Sequence, residues 1–219
     1  MVGLIPVFCP SLSVTSLTYV DSANANNANI SMPGAAQVGD LAVFFDGTTN
    51  LTITPPVLVS PAGWALISDV GIKGSATNSA RSAIFYKVLV SGDVGATVTG
   101  MPPTTGSARK VLAIFRPNVG IRAVGVNSLN DQATTSTPTT QTIAASSGPR
   151  PQVLFGHARG AAALSTSGGL LTSGTSLTTS STAQEVLYEI QNSNGINRTF
   201  GMSDTGDYNT LQSFYLSFT

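Results

Sequence analysis

Cysteine is almost missing from this chain: Cys9 is the only one in 219 residues. It can form no intramolecular disulfide and no thiolate metal cluster, so a small fold stapled by disulfides is excluded. Charge is scarce as well. Charged residues make up 9%, against about a quarter in ordinary globular proteins. Ten basic and ten acidic residues cancel to a formal net charge of zero, and only three of the basic ones are lysine. Phosphate backbones are held by several cations on one face, so no nucleic-acid partner is expected. A near-neutral surface also does little to repel copies of itself. Long apolar runs are absent too. Residues 1–10 are apolar, but no basic segment precedes them and Pro6 and Pro10 interrupt them. That pattern is neither a signal peptide nor a membrane-spanning helix. The expectation is a soluble chain made in the cytoplasm, not exported by the usual route, with no membrane partner.

What fills the sequence instead is hydroxyl and amide chemistry. There are 26 Ser and 27 Thr, and apolar residues account for 42%. Threonine's branched side chain suits a pleated strand, while serine and asparagine suit turns. The 22 glycines and 12 prolines punctuate the chain too often for long helices.

The most informative stretch is 39–90. In Leu41-Ala42-Val43-Phe44-Phe45, positions 41, 43 and 45 share one face and 42 and 44 the other. Apolar residues on both faces predict a central strand. Pro61-Ala62-Gly63-Trp64 is a tight turn that feeds the only tryptophan into the next strand. Trp64 is expected to pack at one end of the core, with a ligand-stacking platform as the sharper alternative. Residues 81–90 alternate cleanly, with Ile84, Tyr86, Val88 and Val90 on one face and Ala83, Phe85 and Leu89 on the other. Residues 108–116 repeat the theme: Val111, Ala113 and Phe115 against Leu112 and Ile114.

Further strands are expected at 17–20, 96–99, 122–126, 141–144, 152–158, 185–191 and 211–218. Residues 21–29, 71–79, 101–106 and 127–140 read as loops, and 160–182 as loop with at most a short strand. Asn192-Ser193-Asn194-Gly195 reads as a hairpin turn that pairs 197–202 back onto 185–191. Residues 1–12, with their two prolines, read as an extended arm that packs either on a neighbouring subunit or on its own domain. About ten strands, no strand–helix alternation and no composition break predict one domain over 1–219. The fold class is all-β: an antiparallel β-sandwich, jelly-roll-like.

The order Gly39-Asp40-Leu41-x-Val43, Pro61-x-Gly63-Trp64-x-Leu66-Ile67, Phe85-Tyr86-Lys87-Val88 and Phe115-Arg116 resembles a broad group of phage and prophage virion proteins. These are β-sandwich tail, fibre or head-decoration components. The resemblance covers roughly 39–117 and rests on folding signatures, so it carries over no catalytic residue. It implies a structural or adhesive role in a virion, homo-oligomers with trimers as the expected form, and other virion proteins as partners. The alternative is a carbohydrate- or host-receptor-binding module that takes a host-surface glycan. An enzyme is not expected.

Ser203-Asp204-Thr205-Gly206 contains an Asp-Thr-Gly triplet. Aspartic protease chemistry needs two such aspartates sharing a proton, and one triplet in polar company reads as a solvated turn. Asp204 and Asp207 with Asn209 are too few oxygen ligands for a calcium loop. His157 is the only histidine, so any Ser-His-Asp triad would have to use it; no Gly-x-Ser-x-Gly elbow accompanies it. It is expected to meet a neighbour or the sheet rim. Glu185 and Glu189 are the only glutamates. On a strand they share a face about 13 Å apart, too far for a glycosidase pair, and read as solvated. No cofactor, metal or catalytic residue is therefore assigned. Tyr208 is the exposed aromatic whose loss would test glycan binding.

Overall fold

The computed structural model describes residues 13–27, 29–73, 78–102, 106–134, 139–144, 148, 150–159, 164–167, 184–192, 195, 197–202 and 209–219. These contain fourteen strands and no helix: β1 (Leu17–Asn26), β2 (Ile30–Ser31), β3 (Leu41–Asn50), β4 (Ala65–Lys73), β5 (Ser79–Val88), β6 (Thr97–Val98), β7 (Ala108–Pro117), β8 (Val124–Thr134), β9 (Thr139–Ile143), β10 (Gln152–Arg159), β11 (Leu164–Ser167), β12 (Gln184–Gln191), β13 (Arg198–Met202) and β14 (Asn209–Phe218). The chain is an antiparallel β-sandwich.

Each half of the chain builds one large sheet. Sheet I has the order β1-β7-β3-β5-β4, and sheet II the order β12-β10-β14-β8. Two smaller sheets, β2-β6 and β11-β13-β9, complete the fold. The alternation of the central strands explains this layering. Leu41, Val43, Phe45, Ile84, Val111, Ala113 and Phe115 point between the large sheets, where they meet Val153, Phe155, Val186, Tyr188, Phe214, Leu216 and Phe218. Phe155 packs on Phe45 at 5.4 Å, on Phe115 at 5.5 Å and on Phe214 at 5.2 Å between ring centroids. The opposite face of sheet I carries Ala42, Phe44, Ala83, Phe85, Leu112 and Ile114, which form a second core with Ile30, Met32, Val98 and Met101. The opposite face of sheet II carries Leu154, Ala158, Leu187, Leu211 and Tyr215, which meet Ile143 and Phe200 of the third sheet. Three apolar layers thus account for strands that are apolar on both faces.

The two long sides of the sandwich close differently. On one side Tyr19 of β1 stacks on Tyr188 of β12 at 5.1 Å. On the other, Ser68 of β4 donates to Asp131 Oδ1 of β8 at 2.7 Å. Register shifts at Tyr19/Asp21 and Leu66/Ser68 twist both outer strands of sheet I.

Several expectations need correction. Residues 21–26 are not loop: β1 continues through them, because pairing with β7 from Asp21↔Ile114 to Asn26↔Arg109 satisfies the backbone. Its polar side chains are tolerated because β1 is an edge strand. The same reason makes 127–134 part of β8, which is also an edge strand. Gly71, Ile72 and Lys73 belong to β4. β13 does not pair with β12. It lies between β11 and β9, where Phe200 packs against Gly156 of β10 across the layers. Trp64 sits in the second core and not between the large sheets; its ring meets Phe44 edge-on at 6.0 Å. The proposed arm 1–12, and most of 160–182, lie outside the described residues. Among the described residues no helix is long and apolar enough to cross a membrane.

Candidate functional site

Among the described residues, two buried polar sets lie within the sandwich and over the outer face of sheet I. The interior set starts at His157, which is fully buried. Its Nδ1 lies 2.9 Å from Gln212 Oε1 and its Nε2 2.9 Å from Gln184 Nε2. An amide NH2 only donates, so Nε2 accepts and Nδ1 carries the proton. Gln212 Nε2 then donates to Ser68 Oγ, whose hydroxyl donates to Asp131. The imidazole is held neutral: burial pushes its pKa down to about 4, the hydrogen bond with Gln212 opposes this, and the nearby Arg159 charge adds to it. Arg159 is buried too, with Nε donating to Gly47 O at 3.1 Å and an Nη2 donating to Ser107 O at 3.2 Å. Ser82 and Thr210 share a hydrogen bond of 2.5 Å. These contacts tie sheet II to sheet I beyond the apolar core.

The outer set is built on a cross-strand pair. Asp46 of β3 stands opposite Lys110 of β7. Both side chains lie on the face of Phe44 and Leu112, so both are buried. They are not joined directly. Met101 N–H donates to Asp46 Oδ2 at 2.5 Å, and Met101 O accepts from Lys110 Nζ at 3.1 Å. Thr48 Oγ1 lies 3.4 Å from Asp46 Oδ1. Burial raises the Asp46 pKa to about 6, against the opposing pull of Lys110, the Met101 N–H, Thr48 and Arg159. Burial lowers the Lys110 pKa, and Asp46 opposes that shift.

Above Lys110 lies a cavity of about 430 Å³ lined by Asn27, Asn29, Val59, Thr99, Gly100, Pro102 and Lys110. A second cavity of about 330 Å³ shares Val59 and Thr99 with it and reaches Trp64 and Asp93. The two adjoin at Val59 and Thr99 and are together called the groove. Gly100 forms its floor above Asp46: a Cβ there would collide with Asp46 Oδ2 and come within 2.7 Å of Lys110 Cε. Asn27 takes φ of 55°, a left-handed conformation that asparagine tolerates. Its Oδ1 accepts from Ala108 N at 2.7 Å, which fixes the groove's far wall to the start of β7.

The residues weighed from the sequence fall elsewhere. His157 is not at a rim but enclosed, with both ring nitrogens engaged. Glu189 is not solvated: it forms a buried, bidentate pair with Arg198 at 2.7 and 2.9 Å, linking β12 to β13. Glu185 is half-buried on the same strand. Asp204, Asp207, Ser203 and Tyr208 lie outside the described residues, and the Asn209 side chain is likewise not described. Trp64 does border the groove. Among the described residues no three of His, Cys, Asp and Glu gather as a metal site.

No motif in the sequence marks Asp46 and Lys110, but their register does. Asp46 continues the Ala42/Phe44 face, and Lys110 continues the Leu112/Ile114 face. A charge in register with buried apolar positions on two central strands marks a buried pair. Comparison of the chain with protein-family models, with curated proteins and with solved structures finds no match to any of them.

Proposed function

We propose that this chain is a structural component of a bacteriophage virion, a decoration, fibre or tail protein, that acts by assembling with its own copies and with other virion proteins. The observation that carries this reading is a set of exposed apolar side chains held on fixed backbone. Val38, Val90 and Val94 are 62%, 55% and 43% exposed. The backbone that presents them is fixed: Gly39 N–H donates to Leu89 O at 2.9 Å, Leu89 N–H to Asp40 O at 2.8 Å, and Asp93 N–H to Val90 O at 2.9 Å. Rigid, exposed apolar side chains on a neutral surface suit protein–protein contact. Mass photometry and particle proteomics test it. A homo-oligomer, most simply a trimer, that dissociates in Val38→Asp/Val90→Asp supports the reading. A strict monomer absent from purified particles sinks it.

A second reading, a carbohydrate- or host-receptor-binding module, is favoured by the groove between Lys110 and Trp64. Its volume lies in the range of about 300–1,000 Å³ typical of small-ligand sites.

A further inference from the structure

We propose that this groove binds an acidic oligosaccharide, with a sugar carboxylate at Lys110 Nζ and the adjoining neutral ring beside Trp64. The proposal rests on the glycan-binding reading and adds the class and direction of the ligand.

The charge arrangement carries it. An ammonium has three N–H donors, and Met101 O takes one of those of Lys110. Lys110 is 2% exposed and borders the cavity. Asp46 does not line the cavity: Met101 N–H and Thr48 Oγ1 lie at its oxygens, and Gly100, which does line the cavity, packs on Oδ2. Among the described residues lining this cavity Lys110 is therefore the only charged one. A buried cation with donors to spare favours an anionic acceptor.

The remaining lining selects among anions. Phosphate and sulfate sites use several cations or a bidentate arginine. Here one lysine is surrounded by the amides of Asn27 and Asn29 and the hydroxyl of Thr99, which donate to and accept from hydroxyl groups. Val59 and Pro102 offer apolar surface to the C–H face of a sugar ring. The second cavity adds Trp64, Ser60 and a carboxylate, Asp93, which is paired with Lys87 at 2.5 Å. Among the described residues that end has no cation in its lining, and Asp93 already occupies Lys87, so the carboxylate goes to Lys110 and the neutral ring to Trp64.

Trp64 is the only tryptophan, so its fluorescence reports the groove directly. The full chain is titrated with a glucuronate-terminated disaccharide, its glucose-terminated counterpart and inorganic phosphate. The expected result is a Trp64 signal with the acidic disaccharide at an affinity about tenfold above the neutral one, which is ~1.4 kcal/mol. This preference falls as salt rises, because the pair is electrostatic. Lys110→Gln alone leaves Asp46 buried without its cation, so the variant used is Asp46→Asn/Lys110→Gln. In it the acidic sugar should bind no better than the neutral one. Equal binding of both sugars by the parent chain overturns the acidic assignment but leaves the glycan reading. Tighter binding of phosphate than of the glucuronate, or an undiminished preference in the double variant, also overturns the assignment. No Trp64 response and no heat with either sugar at millimolar concentration overturns both.

Discussion

Asp46 and Lys110 face each other across β3 and β7, yet a single backbone unit, Met101, separates them by donating to one at 2.5 Å and accepting from the other at 3.1 Å. The N–H of one peptide group and the C=O of the next do the work that a direct ion pair would do elsewhere. Gly100, the residue before Met101, packs against both side chains. Gly100→Ala pushes its methyl into Asp46 Oδ2. The expected cost is about 1–3 kcal/mol, the usual penalty of overpacking. Urea denaturation measures it; an unchanged midpoint would show that the floor of the groove can yield.

Asp46 and His157 have opposite effects on acid stability. The Asp46 pKa is about 6 in the fold against 3.8 unperturbed. A raised pKa means stability present below the unfolded value and lost as pH rises from about 3.8 to 6. The His157 pKa is about 4 against 6.5. A depressed pKa means stability present above 6.5 and lost as pH falls toward 4. Each slope is about 1.4 kcal/mol per pH unit, so between pH 4 and 6 they cancel. Relative to the parent, Asp46→Asn should lose stability on acidification from pH 6 to 4, while His157→Gln should gain it. Parallel profiles for all three proteins would refute the assignment.

The Glu189–Arg198 pair ties the third sheet to sheet II from inside the protein. Glu189→Ala takes the paired carboxylate from a buried guanidinium and should cost ~3–5 kcal/mol, whereas Glu189→Met/Arg198→Met should be close to neutral. Calorimetry on the two variants separates these outcomes. Equal losses would mean that the pair itself, and not the burial of a lone charge, sets the energy.

Phe44 and Phe45 point to opposite faces of β3, and both are fully buried. Each change to alanine should cost ~3–5 kcal/mol. In a two-layer sandwich with a bare outer face Phe44→Ala would be almost silent. Comparing the two midpoints therefore tests the second core by itself.

The alternation within 41–45, 108–116 and 211–218 determined the strands and which residues share a face. A period of two leaves no other arrangement for side chains that must leave water. It also showed that the central strands are apolar on both sides. The sequence could not say what covered the second face, so it could not assign Trp64 to the outer core on which it packs. Residues 21–26 and 127–134 look like loops because their side chains are polar. Edge-strand pairing holds them by backbone hydrogen bonds, which are blind to side-chain type.

The buried polar groups divide the same way. Asp46, Lys110, His157 and Glu189 are each visible as a titratable residue on a strand. Whether such a residue faces water or a partner depends on which sheet lies opposite. Sequence alone thus determined an antiparallel all-β chain with doubly apolar central strands, because periodicity is local. Only the tertiary structure decided that Glu189 meets Arg198, that His157 is locked between two amides, and that Lys110 looks into a groove ending at Trp64. Those relationships join residues distant in the chain, and layer stacking sets them.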